Sequence, residues 1–252
     1  MSTSTPIKAV LFDLDDTLID WSKRTVSYED VTRKHILNIR AFLAAQGHPV
    51  PDGEQFFGHY REIVVRSWRE AKKVWAGVNF GQVITQTLAA ANLDTSKINL
   101  HDVLVACDWT PVPGITPYDD THDVLTFLQE NGYKIGLVTN SMHPMWMRDV
   151  ELEAYDLLRY FDARVTSGDT GFMKPHPAIY NRALSLLNIA PHEAVFVGDR
   201  PGNDIIGANE LGMTSVMIDP PHLNYDLEGV VPDFTITKLS ELLPILKTLS
   251  EG

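Results

Sequence analysis

Residues 8–18 read KAVLFDLDDTL, an apolar run that ends in a cluster of carboxylates. The run is dense in Val, Leu and Phe with little apolar–polar alternation, which is typical of a β-strand covered on both faces. Asp13 and Asp15 follow at its carboxyl end, where ligands bind in open α/β sheets. The stretch therefore predicts a buried parallel strand that brings two carboxylates to a ligand site.

Four further runs of this kind follow in the second half of the chain and alternate with helical stretches. The predicted strands cover residues 134–139, 163–167, 194–199 and 214–219. The predicted helices cover residues 119–130, 148–158, 178–187 and 203–211. Strands that alternate with helices at this spacing indicate an α/β fold with a doubly wound, mainly parallel sheet.

The segment after the first strand differs from the rest in charge and pattern. Residues 18–112 hold 11 basic and 10 acidic side chains, whereas the remaining residues hold 10 basic and 23 acidic ones. Helical signals in this segment cover residues 28–46, 54–74, 79–91 and 101–107. We therefore expect a helical insertion over 18–112 in a core made of residues 1–17 and 113–252.

Two features of the insertion bear on a site. The basic side chains of the predicted 54–74 helix are interpreted as a solvated face, and only Arg61 and Lys72 flank the apolar stripe closely enough to reach a buried ligand. Four of the five tryptophans lie in the insertion. We interpret most of them as packing among its helices, with stacking on a nucleobase as the alternative.

The composition narrows the class of protein. The chain has 252 residues and a net charge of −12, which argues against a general nucleic-acid binder. No apolar run approaches the roughly 20 residues that span a membrane, and residues 1–8 lack the layout of a secretory signal. The single cysteine, Cys107, excludes an internal disulfide and a Cys-rich metal site. We expect a cytoplasmic, metabolic-type protein of unspecified oligomeric state, without nucleic-acid or membrane partners.

Three later loops also carry polar groups at strand ends. Thr139, in VTNS, offers a hydroxyl beside exposed N–H groups, a pattern that indicates an anion site or a helix cap. Lys174, in GFMKPHP, is followed by Pro175 and Pro177, which restrict the backbone around it. Its ammonium is therefore positioned and can balance phosphate or carboxylate charge. His176 is interpreted as a helix-entry residue. Asp199 and Asp204, in VGDRPGND, offer the hard oxygens that suit Mg²⁺ or, alternatively, form a capped turn.

The order of these motifs resembles that of the haloacid dehalogenase-like hydrolase superfamily. The matching stretches are FDLDDT (12–17), VTNS (138–141), MKPHP (173–177) and VGDRPGND (197–204). The resemblance covers roughly residues 7–248 and includes a helical insertion between the first two motifs. It implies a Rossmann-like core with a mobile helical cap.

The resemblance also implies a role for each motif residue. Asp13 would be the nucleophile that forms an aspartyl-phosphate, and Asp15 would be the general acid and base. Thr17 would orient the first loop, and Lys174 would also steady Asp13. The implied phosphate-binding residues are Thr139, Lys174 and, through its backbone N–H, Asn140. The implied Mg²⁺ ligands are Asp13, Asp199, Asp204 and, through its backbone carbonyl, Asp15.

The presence of Asp15 favours phosphoryl transfer to water, because dehalogenases and phosphonate-cleaving members of the superfamily lack this carboxylate. We expect Mg²⁺-dependent hydrolysis of a small soluble phosphomonoester through an aspartyl-phosphate. Two alternatives remain open: a phosphosugar mutase with the same core, and a receiver-like signalling module, although receivers are shorter and have no cap. The substrate stays open among phosphoglycolate, sugar phosphates, nucleoside monophosphates and other small esters.

Overall fold

A six-stranded parallel sheet forms the core of the computed structural model, which describes residues 6–223, 225–227 and 229–251. In chain order, the strands are β1 (Ala9–Phe12), β2 (Ile19–Asp20), β3 (Thr116–Pro117), β4 (Lys134–Thr139), β5 (Ala163–Thr166), β6 (Ala194–Gly198), β7 (Thr214–Ile218) and β8 (Phe234–Ile236). All except β2 and β3 belong to the parallel sheet, in the order β5-β4-β1-β6-β7-β8. Strands β4 and β5 lie on one side of β1, and β6, β7 and β8 lie on the other, as in a Rossmann-like sheet. The predicted fold class is therefore confirmed.

Ten α-helices form within the described residues, and those outside the insertion cover both faces of this sheet. In chain order, they are α1 (Tyr28–Ala45), α2 (Gly53–Ala71), α3 (Phe80–Ala90), α4 (Leu100–Ala106), α5 (Thr121–Glu130), α6 (Met145–Ala154), α7 (Ser167–Thr170), α8 (Pro177–Leu187), α9 (Ile206–Leu211) and α10 (Leu242–Glu251). Val10 and Phe12 of β1 belong to an apolar cluster with α5 and α10. Ala9 and Leu11 belong to another cluster with α8 and α9. Burial on both faces explains why the strand sequence does not alternate.

The helices of the insertion form their own apolar cluster. Side chains from α1 to α4 pack around Ile39, Phe56 and Ile84, and core residues such as Met142 and Met173 join the same cluster. Polar N-cap side chains begin all four helices and accept hydrogen bonds from the first-turn N–H groups, as such caps commonly do. The region is helical as expected, while the division into two domains stays a prediction.

Several element bounds differ from the sequence-based prediction. The second insertion helix ends at Ala71, three residues early, and Trp75 beyond it has a left-handed φ of 53°. Helix α6 begins three residues early, after Pro144, and ends at Ala154, shortly before Asp156 takes a φ of 55°. The sequence does not predict the short strands β2, β3 and β8, because an element of two or three residues is too short to show a hydrophobic period.

No helix in the described ranges is both long and apolar enough to cross a membrane. The predicted absence of a secretory signal concerns residues 1–8, of which 1–5 lie outside the described ranges. Residues 1–5 and 252, the outermost residues of the predicted core, also lie outside the described ranges.

Candidate active site

The turn after β1 sets the positions of the two motif carboxylates. The Asp13 N–H donates to the carbonyl of Val197 at 2.9 Å, which extends the pairing with β6 past the end of the strand. Asp16 then takes a left-handed φ of 59°, a conformation that Asp adopts more readily than most residues. Its N–H donates to the Ile19 carbonyl at 2.9 Å and closes the turn. Asp13 is therefore buried, whereas the Asp15 side chain keeps 32% of its surface exposed.

Lys174 lies among these carboxylates as a buried ammonium. Its Nζ is 2.8 Å from Asp13 Oδ1 and 2.7 Å from Asp204 Oδ1. Burial lowers the pKa of Lys174, but Asp13 and Asp204 raise it by more, so the pKa stays above its usual value. The side chain of Asn140 fixes the Lys174 backbone: Oδ1 accepts from the N–H at 2.7 Å, and Nδ2 donates to the carbonyl at 3.1 Å. The sequence had pointed only to the backbone N–H of Asn140.

The tip of β6 and the π-turn that follows it supply two further carboxylates. Asp199 comes directly after β6, and Asp204 lies in the turn Pro201–Ile205. Asp204 Oδ2 accepts from the Arg200 N–H at 3.0 Å. A Cβ at Gly198 would lie 2.4 Å from the Asp204 carboxyl carbon, so the close approach of Asp204 requires glycine there.

Asp13, Asp199 and Asp204 form a group that can hold a metal ion. One carboxylate oxygen of each lies within 4.8 Å of the other two, and all three residues are buried. Burial and the neighbouring Asp204 raise the pKa of Asp199 to about 9. Burial also raises the pKa of Asp13 to about 6, although Lys174 opposes the shift. Three buried carboxylates thus face one buried ammonium, and a hard divalent cation would offset the surplus charge. Thr17 donates to Asp199 Oδ1 at 3.4 Å and joins the first loop to this group.

The Asp15 carboxylate is held by two residues that sequence analysis missed. Nη2 of Arg148, on α6, donates to both oxygens at 2.9 and 3.1 Å, and Trp21 Nε1 donates to Oδ1 at 2.8 Å. The buried guanidinium also contacts Glu151 at 2.8 Å, and Glu151 accepts from Trp109 Nε1 at 2.9 Å. The only signal in the sequence is the i, i+3 spacing of Arg148 and Glu151, which indicates a pair but no target.

Five of the predicted site residues line one cavity of about 510 Å³. From the core, it is lined by Asp13, Asp15, Thr139, Asn140 and Lys174, among others. From the insertion, it is lined by Trp68, Lys72 and Trp75. We call it the phosphoryl cavity, after the group that its core residues are predicted to bind. Asp199 and Asp204 do not line this cavity, but both are grouped with Asp13, and Asp204 also contacts Lys174.

A second cavity of about 400 Å³ adjoins the first. Asp15, Trp68 and Asn140 line both cavities, and Arg61 lines only the second. Arg61 and Lys72 thus each reach a cavity, as the helix pattern predicted.

The packing interpretation of the insertion's tryptophans holds for Trp68 and Trp109, which pack with the apolar cluster of the insertion helices, but not for Trp21 and Trp75. Trp21 and Trp68 line the second cavity, and Trp75 lines the phosphoryl cavity, whereas Trp109 is buried. Trp75 lies four residues past the end of α2, so it does not continue the apolar face of that helix.

The chain is similar to known proteins in both sequence and fold. The sequence profile of the haloacid dehalogenase-like hydrolases matches residues 7–212. The glyceraldehyde 3-phosphate phosphatase of Methanopyrus kandleri is 32% identical over 97% of this chain and 99% of its own. A solved HAD phosphatase from Thermococcus onnurineus has a TM-score of 0.59 and 27% identity, covering 95% of this chain and 98% of its own. A 2-haloacid dehalogenase from Pseudomonas syringae has a TM-score of 0.64 and 25% identity, with coverages of 96% and 98%.

Proposed function

Because this chain belongs to the haloacid dehalogenase-like hydrolase family, we propose that it is a Mg²⁺-dependent phosphatase that hydrolyses a small phosphomonoester through a phosphorylated Asp13. The observation that carries the proposal is the contact of one buried ammonium, Lys174, with both Asp13 and Asp204. A relative named as a glyceraldehyde 3-phosphate phosphatase, aligned over nearly the whole chain, supports a small phosphorylated metabolite as substrate.

In the first half-reaction, a carboxylate oxygen of Asp13 attacks phosphorus, and the bond between phosphorus and the ester oxygen breaks. Asp15 gives its proton to the departing oxygen. Thr139, the N–H of Asn140 and Lys174 bind the oxygens of the phosphoryl group, where negative charge needs stabilisation during transfer. The product alcohol leaves, and Asp13 carries the phosphoryl group.

In the second half-reaction, Asp15 takes a proton from water, and the water oxygen attacks the same phosphorus atom. The bond to Asp13 breaks and phosphate is released. Arg148 and Trp21 bond to the Asp15 carboxylate, so its base form has defined partners beside the cavity. Two positioned carboxylates thus divide the work between a nucleophile and a proton carrier.

The proposed Mg²⁺ ligands are Asp13, Asp199, Asp204 and the backbone carbonyl of Asp15. When bound, the ion supplies positive charge to the phosphoryl oxygens and lets the buried carboxylates stay ionised. Residues 18–112 are proposed to act as a cap over the core of 1–17 and 113–252, because insertion residues form one wall of the phosphoryl cavity. We also propose a cytoplasmic location, consistent with a single buried cysteine.

The test is turnover of p-nitrophenyl phosphate by wild type, Asp13→Asn and a matched control, Asp119→Asn, which changes an exposed carboxylate. An amide keeps the shape of Asp13 but is no nucleophile, so we expect loss of nearly all activity with an unchanged circular dichroism spectrum. The control should match wild type. More than about 1% residual activity in Asp13→Asn would contradict covalent catalysis, since such catalysis splits one hard step into two easier ones. In a parallel assay with a hexose phosphate, conversion to the isomeric hexose phosphate in place of phosphate release would contradict the phosphatase proposal.

A further inference from the structure

The second cavity is placed to receive the part of the substrate that leaves. Asp15, the proposed proton donor to the leaving oxygen, lines this cavity and the phosphoryl cavity. A substrate with its phosphorus next to Asp13 therefore extends its alcohol part past Asp15. We call the second cavity the leaving-group chamber; its volume of about 400 Å³ is large for a two- or three-carbon alcohol.

The walls of the leaving-group chamber are mainly aromatic. Trp21 and Tyr28 contact each other with ring centroids 5.8 Å apart, and Phe57 and Tyr60 stack with centroids 6.1 Å apart. Trp68 completes the set where the two cavities meet. Flat, polarisable walls of this kind favour rings and other apolar groups, which gain both burial and ring contacts.

The charged residues of the chamber are already paired with each other. Arg61 Nη1 lies 3.6 Å from Glu29 Oε1. The other cation, Arg148, contacts Asp15 and Glu151. Among the described lining residues, no lysine or arginine is therefore left without an acidic partner. A carboxylate or second phosphate on the leaving group would therefore have to compete with these acidic side chains for a cation.

The geometry points to a substrate class, and the inference rests on the proposed phosphatase function. We propose that the preferred substrate is a phosphomonoester of an uncharged alcohol with an apolar, ring-sized group. Phosphorylated hydroxy acids such as phosphoglycolate are disfavoured, because their carboxylate enters a chamber whose cations are engaged.

The direct test compares two esters that differ by one charge, benzyl phosphate and para-carboxybenzyl phosphate, with acetyl phosphate as a probe that leaves the chamber nearly empty. We expect kcat/KM with Mg²⁺ to be at least about tenfold higher for benzyl phosphate than for its carboxylated analogue. Equal values, or a preference for the carboxylated ester, would overturn the substrate class while turnover itself supports the phosphatase.

A charge variant tests the cause of the preference. Glu29→Gln leaves Arg61 in place without its acidic partner, so the preference for benzyl phosphate should shrink severalfold. The matched control is Glu54→Gln, which removes the partner of Arg33, an ion pair outside the chamber. Both acidic side chains are more than half exposed, so neither change should affect folding. A preference that changes equally in both variants, or in neither, would contradict the role assigned to the Glu29–Arg61 pair.

Binding separates failure of this inference from failure of the phosphatase proposal. If neither ester nor acetyl phosphate is hydrolysed, the phosphatase proposal fails. Benzylphosphonate and para-carboxybenzylphosphonate then report on the chamber, through quenching of the fluorescence of Trp21 and Trp68. We expect the uncharged ring to bind at least about tenfold more tightly. Equal dissociation constants would overturn the chamber assignment whatever the outcome of the kinetic assays.

Discussion

Asp15 depends on two side chains that its own motif does not contain. Trp21 comes from the start of the insertion and Arg148 from a helix beyond the second motif, and both donate to the same carboxylate. Arg148 in turn contacts Glu151, whose pKa burial raises to about 7 even though Arg148 opposes the shift. The proposed proton carrier is thus joined to a buried ion pair, and the two can be separated experimentally.

Arg148→Met should lower the free energy of unfolding by about 3–5 kcal/mol, because it leaves Glu151 as a buried carboxylate without its cationic partner. Arg148→Met/Glu151→Gln should recover most of this loss, since the neutral amide still accepts from Trp109. Turnover should stay low in both variants, because Asp15 has lost its guanidinium. Urea unfolding and steady-state rates measure the two effects. Recovery of activity together with stability would mean that Arg148 does not position Asp15.

Asp15→Asn should separate the two proton transfers. A p-nitrophenolate ion leaves without a proton, whereas attack by water still needs a base, and such assistance is worth about 10²–10⁴-fold. Rapid mixing should show a burst of p-nitrophenol near one equivalent per enzyme and then a slow steady rate. An alkyl phosphate, with its poor leaving group, should show no burst. Linear time courses with both substrates slowed equally would assign the proton carrier elsewhere.

At the scale of elements, both crossings between core and insertion meet in one small sheet. Strands β2 and β3 pair antiparallel through Ile19 with Pro117 and Asp20 with Thr116. Beyond this pair, the Thr25 N–H donates to the Pro113 carbonyl at 2.9 Å. The two crossings are therefore joined by backbone hydrogen bonds, which makes them the place where motion of a cap would be detected.

Beryllium fluoride with Mg²⁺, which mimics a phosphorylated aspartate, should slow tryptic cleavage after Lys23 and Arg24. Both residues are exposed beside the crossing, and closure of the insertion over a filled site would order this segment. Cleavage after Lys97, which is exposed on the insertion far along the chain, serves as the internal reference. Equal protection at all three residues, or at none, would contradict a closing cap. Mass spectrometry of timed digests gives the rates.

The sequence predicts those strands and helices whose hydrophobic pattern extends over enough residues to be recognised. β1 and β4 are apolar runs next to polar loops, so their course and the carboxylates at the edge of the sheet follow from local sequence. The pairing of β2 with β3 depends on two residues from each side of a long insertion, and no local period records it. The same limit applies to Arg148, because its contact with Asp15 joins residues 133 positions apart.

At the scale of the whole molecule, the excess of acidic side chains lies in the core, which also contains the proposed metal site. The chain has a net charge of −12, and the insertion contributes none of this excess. Within the core, Asp13, Asp199 and Asp204 are buried together against Lys174. The negative electrostatic potential of the core attracts a cation at long range. To bind, the cation must displace protons from the buried carboxyl groups.

Mg²⁺ affinity should therefore rise with pH. Without metal, burial raises the pKa of Asp13 to about 6 and that of Asp199 to about 9, so between these values a bound proton competes with the ion. Displacing one proton makes affinity change by up to about tenfold per pH unit. Titration calorimetry in two buffers of different ionisation enthalpy should show proton release. Asp199→Asn should bind Mg²⁺ more weakly and with a flatter pH dependence. Affinity independent of pH would contradict a protonated Asp199 in the metal-free protein.

The pairing of β2 with β3 also bears on the order in which the chain assembles. Strand β1 pairs with β4, Ala9 opposite Lys134, so the central sheet can form only after the ends of a long loop have met. The entropic cost of closing a flexible loop grows with its length, by about 0.6 kcal/mol for each doubling. If α1–α4 collapse first and bring Asp20 beside Thr116, the loop left to close is short. The insertion would then act as an early folding unit that speeds the search for the sheet, an order that pulsed hydrogen exchange during refolding would reveal through early protection of its helices.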